Sequence, residues 1–271
     1  MHSRSRRQLP IALLVSAALA ATLTLAASAP ASARTEQGSL DLLTDPYLQL
    51  PGPASTHVAW VTEFPGARHL VLHGEGVTNL SSQDIERAVA AENPRRAQRG
   101  GVKVVQAETV QLSRTREDAQ SNILDRPAGV VDRPLWRHGV EVRGLRPGQR
   151  TPYRVLSIDD SGEYALSDDF TMQPSPRRGQ AAQILLTSDH QSMPMTPANL
   201  QKVTDTVGTI DAVFMAGDLV NIPDRASEWF DDTRGGGRSS PRCRATQAGR
   251  RRATTPCTAA ARSCSTRRSS Q

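Results

Sequence analysis

Along residues 45–172 the apolar positions fall in short runs divided by glycine and proline. Thr56-His57-Val58-Ala59-Trp60-Val61-Thr62 alternates, but Val58 and Trp60 share their parity with Thr56 and Thr62, so the face is mixed. His69-Leu70-Val71-Leu72-His73 follows between Gly66 and Gly74, and further short runs occupy residues 102–105, 109–112, 138–142 and 153–156. Short β-type runs split by turn residues predict a β-sandwich. Helical spacing is confined to residues 83–92, which predict one short helix. Residues 93–99 and 114–133 are polar and Arg-rich. Their composition predicts solvated loops or an insertion on the sandwich, with a substrate-contacting loop as the sharper alternative.

The pattern changes after a stretch rich in proline and charge at residues 173–180, which reads as a linker. Ile184-Leu185-Leu186-Thr187 is a continuous apolar run ending at Ser188-Asp189-His190-Gln191. Thr196 and Pro197 offer an N-cap and a first helical position, Leu200, Val203 and Val207 follow at helical spacing, and Gly208 supplies the stop. A second buried-type run, Asp211 to Ala216, ends at Gly217-Asp218. Strand, helix and strand, each strand largely apolar, predict a βαβ unit of a parallel sheet covered by helices. One such unit buries little apolar surface, so residues beyond about Pro174 are expected to be cut by proteases before the sandwich.

The two ends of the chain differ from its middle. Residues 1–33 carry Arg4, Arg6 and Arg7, an apolar run from Ile11 to about Ala27, and Ala31-Ser32-Ala33. That is the order of a cleaved secretory leader, so a secreted product with no stable membrane anchor after cleavage is expected. Ser5-Arg6-Arg7-Gln8-Leu9 also resembles a twin-arginine signal. Residues 238–271 contain nine arginines and no Val, Ile, Leu, Met, Phe, Trp, Tyr, Asp, Glu, Lys or His. Such a segment cannot build a core and is expected to be disordered. The chain has only Lys103 and Lys202 against many arginines, the mark of a GC-rich gene, and the tail composition is what a shifted frame of such a gene encodes. An out-of-frame continuation beginning near residues 235–237 is therefore expected.

Charge and cysteine content exclude more than they propose. The formal net charge is +6, but twelve of the 33 basic residues lie in the two acid-free ends, leaving 21 basic against 27 acidic residues between them. A nucleic-acid footprint needs its basic residues on a folded face, so no nucleic-acid partner is expected. Cys243, Cys257 and Cys264 all lie in the tail, at a spacing that fits neither a disulfide framework nor a zinc site.

Candidate chemistry sits where the two apolar runs of the βαβ unit end, because ligands of open parallel sheets gather beyond the carboxyl ends of the strands. Asp189 and Asp218 occupy those ends, and Asn221 follows Asp218 by three residues. Two such carboxylates can hold hard cations. A bridging one brings two metals to roughly 3.5–4 Å, the spacing used for in-line phosphoryl displacement. An Asp after a strand also serves as a turn or cap residue, and His190 and Gln191 read equally well as loop residues.

At these residues the chain resembles the calcineurin-like metallophosphoesterases. Residues 184–191 and 213–221 are similar to the first two motifs of that family. Asp189 matches the aspartate of Asp-x-His, or of Asp-x-Gly in purple acid phosphatases, with Gln191 standing where His or Gly is usual. Gly217, Asp218 and Asn221 match Gly-Asp-x-x-(Asp/Tyr/Asn). Upstream, Asp45-Pro46-Tyr47-Leu48-Gln49, Val58-Ala59-Trp60, His138 and residues 144–148 before Tyr153-Arg154-Val155 resemble the fibronectin-III-like domain of purple acid phosphatases.

Between the leader at 1–33 and the disordered, out-of-frame tail at 238–271, the resemblance implies a fibronectin-III-like sandwich at 41–174, a linker at 175–181 and the first part of a metallophosphoesterase domain at 182–237. It implies phosphate-ester hydrolysis by a hydroxide activated on two metal ions (Fe, Zn or Mn), with Asp218 bridging, Asp189 and Asn221 each on one metal, and Gln191 as a further ligand position. The family's later motifs, Gly-Asn-His-(Asp/Glu), a further His and Gly-His-x-His, have no counterpart, since the last histidine is His190 and the last asparagine Asn221. An incomplete and inactive site is therefore expected; a secreted β-sandwich binding module without catalysis is the alternative.

Overall fold

The structure is a computed structural model that describes residues 39–230 except 122, 124 and 209, together with 257–259. The expected leader and most of the tail, with the out-of-frame reading attached to it, lie outside the described residues. In the first half the chain runs through strands β1 (Tyr47–Gln49), β2 (Ser55–Thr62) and β3 (Arg68–His73), helix α1 (Ser82–Ala90), and strands β4 (Lys103–Gln106), β5 (Glu108–Leu112), β6 (Arg116–Glu117) and β7 (Val131–Asp132). It continues through β8 (Leu135–Arg143), β9 (Thr151–Ile158), β10 (Tyr164–Leu166) and β11 (Phe170–Met172). The molecule is mostly β, with few helices.

Apart from β6 and β7, which pair with each other, these strands form two antiparallel sheets, one in the order β1-β2-β8-β5 and the other β10-β9-β3-β4 with β11 beside β9. Leu48, Val58, Trp60 and Val142 of the first meet Val71, Tyr153, Val155, Phe170 and Met172 of the second in one core. This is a β-sandwich. The mixed face of β2 is fully buried, and its threonines are accommodated by hydrogen bonds. Thr56 Oγ1 donates to the Gln49 carbonyl (3.3 Å), and Thr62 Oγ1 donates to that of Phe64 (2.5 Å).

The continuous apolar run of β3 has a different cause: it is covered on both faces. Val71 points into the sandwich core, while Leu70 and Leu72 join Ile85 and Ala88 of α1 in a second cluster outside the sheet. The α1 N-terminus is closed by reciprocal bonds, with the Asp84 amide donating to Ser81 Oγ and the Ser81 amide to Asp84 Oδ2, both 3.2 Å. This is a capping box, satisfying two backbone donors a helix start leaves open. The 93–99 segment, read as solvated, packs Ala97 into the same outer cluster.

After the sandwich come β12 (Ile184–Thr187), α2 (Thr196–Val207), β13 (Ala212–Met215) and α3 (Ala226–Phe230). Strands β12 and β13 are parallel, with Ile184 opposite Ala212 and Thr187 opposite Met215. Helix α2 carries Pro in its first turn and ends at Gly208, whose φ of 84° suits glycine. Its N-cap is Met195 rather than Thr196, whose hydroxyl instead donates to the His190 carbonyl (3.5 Å). Leu185, Val203, Val213 and Met215 pack on one side of this pair with Ile210 and Leu219. On the other side Ile184, Leu186 and Phe214 stay 57%, 72% and 48% exposed. Among the described residues, the expected cover by helices is thus present on one face only.

The tail expectation needs one correction. Cys257–Ala259 forms a strand, β14, parallel to β13, with Val213 opposite Cys257. Strand β13 thereby has a backbone partner on its edge away from β12, a place an extended segment can fill whatever its side chains. No helix among the described residues is long and apolar enough to cross a membrane.

Candidate functional site

The carboxyl ends of β12 and β13 continue into two loops that are joined to each other by backbone bonds. The Ala216 amide donates to the Thr187 carbonyl (2.8 Å), that of Asp189 to Gly217 (3.2 Å), that of Gln191 to Asp218 (2.9 Å) and that of Ser192 to Leu219 (2.9 Å). This pairing needs unusual backbone. Asp189, Gln191, Ser192 and Asp218 all have positive φ, at 57°, 44°, 52° and 49°. Only Leu50 and Arg114 share that feature among the other described non-glycine residues. The left-handed region is disfavoured for residues with a Cβ but least so for Asp and Asn, and such residues gather where surrounding structure forces them. The forced turn leaves Asp189 and Asp218 exposed, beyond adjacent strands.

The four residues singled out in the sequence come together here, in unequal roles. Gln191 Nε2 donates to Asp189 Oδ1 (3.5 Å), so Gln191 serves as a hydrogen-bond donor to the first carboxylate. Asn221 Nδ2 donates to the Gln191 carbonyl (2.9 Å) and approaches Glu228 Oε2 (3.5 Å). His190 is buried, with its Nε2 at 2.8 Å from Thr187 Oγ1, and belongs to the loop's interior rather than to the carboxylates.

Two carboxylates and one amide are hard oxygen donors, suited to a Mg²⁺- or Mn²⁺-like ion that keeps several waters. They do not fit a dinuclear iron or zinc centre, which calls for nitrogen ligands and a fuller set. Among the described residues no group of three or more His, Cys, Asp or Glu side chains gathers where it could hold a metal.

A neighbouring set of residues was not visible in the sequence. Residues 114–133, read as solvated, instead carry Glu117 into the protein, where it accepts from the Ser227 amide (2.8 Å), Ser227 Oγ (2.7 Å) and Arg133 Nη1 (2.9 Å). Asp118 accepts twice from Arg225 Nη2 (2.9 and 3.0 Å). Arg225 in turn donates to Glu228 (3.1 Å), and the Asn221 amide donates to that same carboxylate (3.1 Å). Residues 125, 126 and 128–132 are exposed, as the hydrophilic composition suggested, while Glu117, Asp118 and Arg133 of the same segment enter an ion-pair network. The one available signal was the acidic pair Glu117-Asp118 within an Arg-rich stretch.

No protein-family model and no curated protein matches the chain. Among solved structures, the chain is similar to the purple acid phosphatase PPD1 from yellow lupin (Lupinus luteus) seeds at 17% identity and a TM-score of 0.47, covering 78% of this chain and 34% of that one. A cycloalternan-degrading enzyme from Trueperella pyogenes matches at 13% identity and a TM-score of 0.27, over 50% of this chain and 16% of that one. Vertebrate Astrotactin-2 matches at 13% identity and 0.26, over 59% and 26%. The chain spans about a third of the length of the lupin structure. Likenesses at this distance assign no family.

Proposed function

We propose that the chain is a secreted, metallophosphoesterase-like protein of the purple-acid-phosphatase type that holds only the first half of a metal centre. In this reading a fibronectin-III-like sandwich precedes the partial domain, phosphate esters are the substrate class of the complete site, and this chain turns over little or none. The observation that carries it is the pair Asp189 and Asp218. Both are exposed at the ends of neighbouring parallel strands, in left-handed backbone, within loops bonded to each other.

Titration of the purified chain with Mn²⁺, followed by loss of the free-ion electron paramagnetic resonance signal, tests the reading. Binding near one ion per chain, lost in Asp189→Ala and in Asp218→Ala, is expected, with no hydrolysis of a chromogenic phosphate ester above background. Binding unaffected by either substitution overturns it. Hydrolysis abolished by Asp218→Ala would instead make the site catalytically complete. Absence of metal binding together with capture of a cell-wall polymer would leave a binding module.

A further inference from the structure

Arg225, Glu228 and Glu117 are 7%, 6% and 5% exposed, although each has an ionisable side chain. Removing charges from water is expensive, and a buried pair adds little net stability over apolar residues of the same volume. Their arrangement therefore has to be explained by what it holds in place. Glu228 is the member that touches both strand-end loops. Its Oε2 accepts from the Asn221 amide (3.1 Å) and lies 3.5 Å from Asn221 Nδ2, while its backbone carbonyl accepts from Ser192 Oγ (3.0 Å). Its other oxygen, Oε1, receives Arg225 Nη1 (3.1 Å), and Arg225 is anchored by both oxygens of Asp118 from the sandwich.

We infer that Glu228 is a positioning residue for the candidate cation site. It commits the Asn221 amide nitrogen, and with it the direction in which Asn221 Oδ1 is presented, and it is held in turn by Arg225 and Asp118. Asn221 Nδ2 has two acceptors, the Gln191 carbonyl and Glu228, so its side chain cannot rotate without losing both. The oxygen is left as the atom that the proposed cation would take. Partners of this kind orient a ligand without touching the ion, and losing one weakens metal binding by about 10–100-fold. Ser227 belongs to the same element but is bonded to Glu117, on the far side of the network. It therefore serves as a control for structural damage alone. The inference rests on the proposed function for its metal, and on geometry alone for Asn221.

The test uses the full chain, ¹⁵N-labelled, without added metal and then with Mn²⁺. Glu228→Ala is expected to raise the exchange rate of the Asn221 backbone amide at least tenfold and to shift its side-chain amide resonances, with the bond to the Gln191 carbonyl kept. Glu228→Gln keeps a carbonyl acceptor and is expected to restore much of that protection. Ser227→Ala is expected to lower the melting temperature and leave the Asn221 signals in place. Mn²⁺ affinity should fall about 10–100-fold in Glu228→Ala and little in Ser227→Ala. Unchanged Asn221 protection in Glu228→Ala, or an equal change in Ser227→Ala, overturns the inference. If the unsubstituted chain binds no Mn²⁺, the proposed function fails, while the exchange comparison still decides what Glu228 does.

Discussion

His69 and His138 lie face to face inside the sandwich, with ring centroids 3.4 Å apart and planes 13° from parallel. Their protons can be placed from their partners. The Pro65 carbonyl, 2.6 Å from His69 Nε2, can only accept, so that nitrogen carries the hydrogen and Nδ1 receives the Ser157 hydroxyl (2.9 Å). Ser157 Oγ accepts in turn from Trp60 Nε1 (2.8 Å). His138 is held by Thr62 and Thr109 at 2.8 and 3.0 Å. Burial, then the neighbouring His69 and Arg137, pushes His138 down to about 3. Burial also lowers His69, against the opposing Pro65 carbonyl, and burial followed by Lys103 pushes His73 down to about 4. All three are neutral in both states above about pH 6.5. Below it the unfolded chain takes up protons the folded one refuses, so stability falls as pH drops towards the folded values. Each such histidine contributes about 1.4 kcal/mol per pH unit once its unfolded form is charged. Urea denaturation should show stability declining between pH 6.5 and 5, before most carboxylates titrate, and His138→Gln should flatten that slope. An unchanged slope would mean His138 is protonated in the fold. None of this was legible in the sequence, where His69 and His138 stand far apart and neither spacing nor periodicity joins them. Asp189 and Asp218 were legible because an apolar run announces its own end.

Elements followed the apolar pattern closely wherever burial set the pattern. Strands β2, β3, β4, β5, β8 and β9, the short helix α1 and the β12-α2-β13 unit all lie within a few residues of the runs that predict them. The short strands β10 and β11 did not stand out, since three residues are too few for any period. Periodicity also could not tell a strand covered on both sides from one covered on a single side, and the two occur here. The continuous run of β3 is buried on both faces; the equally continuous β12 leaves Ile184 and Leu186 exposed. Neighbouring residues on one strand should therefore respond in opposite ways. Leu186→Thr is expected to change unfolding free energy by no more than about 0.5 kcal/mol, as for a surface site, and to reduce self-association seen by light scattering. Leu185→Ala, on the packed face with Val203 and Val213, should cost about 2 kcal/mol or more. A loss of that size in Leu186→Thr would show that something covers the exposed face.

At the scale of the whole molecule, composition pointed to a sandwich followed by a small, separately vulnerable unit, and the network through residues 116–133 alters that division. Strand β6 and the segment around α3 are joined by the Glu117 and Asp118 bonds, by the Arg116 amide donating to the Asp224 carbonyl (2.9 Å), and by an isolated bridge between Arg116 and Arg225. Apolar contact adds to this, since Ala226 and Phe230 pack with Val61, Leu135, Leu43 and Leu112 of the sandwich. The segment at residues 221–230 is thus part of the sandwich energetically, although it follows β13 in sequence. Hydrogen exchange should reveal two levels of opening. Peptides from residues 182–215 are expected to exchange early, having one thin cluster and a bare face, while those from 221–230 should exchange with the sandwich strands. Glu117→Ala separates the two possibilities further. It removes the buried carboxylate that the Ser227 hydroxyl and Arg133 share, a break of the kind that costs about 3–5 kcal/mol, while the Arg133 contact with the exposed Glu63 (2.6 Å) stays. In that variant protection at 221–230 should fall to the level of 182–215, while β2, β3, β8 and β9 keep theirs. If 221–230 already exchanges with 182–215 in the unsubstituted chain, the charged bridge does not join the two parts, and all residues beyond the linker behave as the single weak unit that their composition suggested.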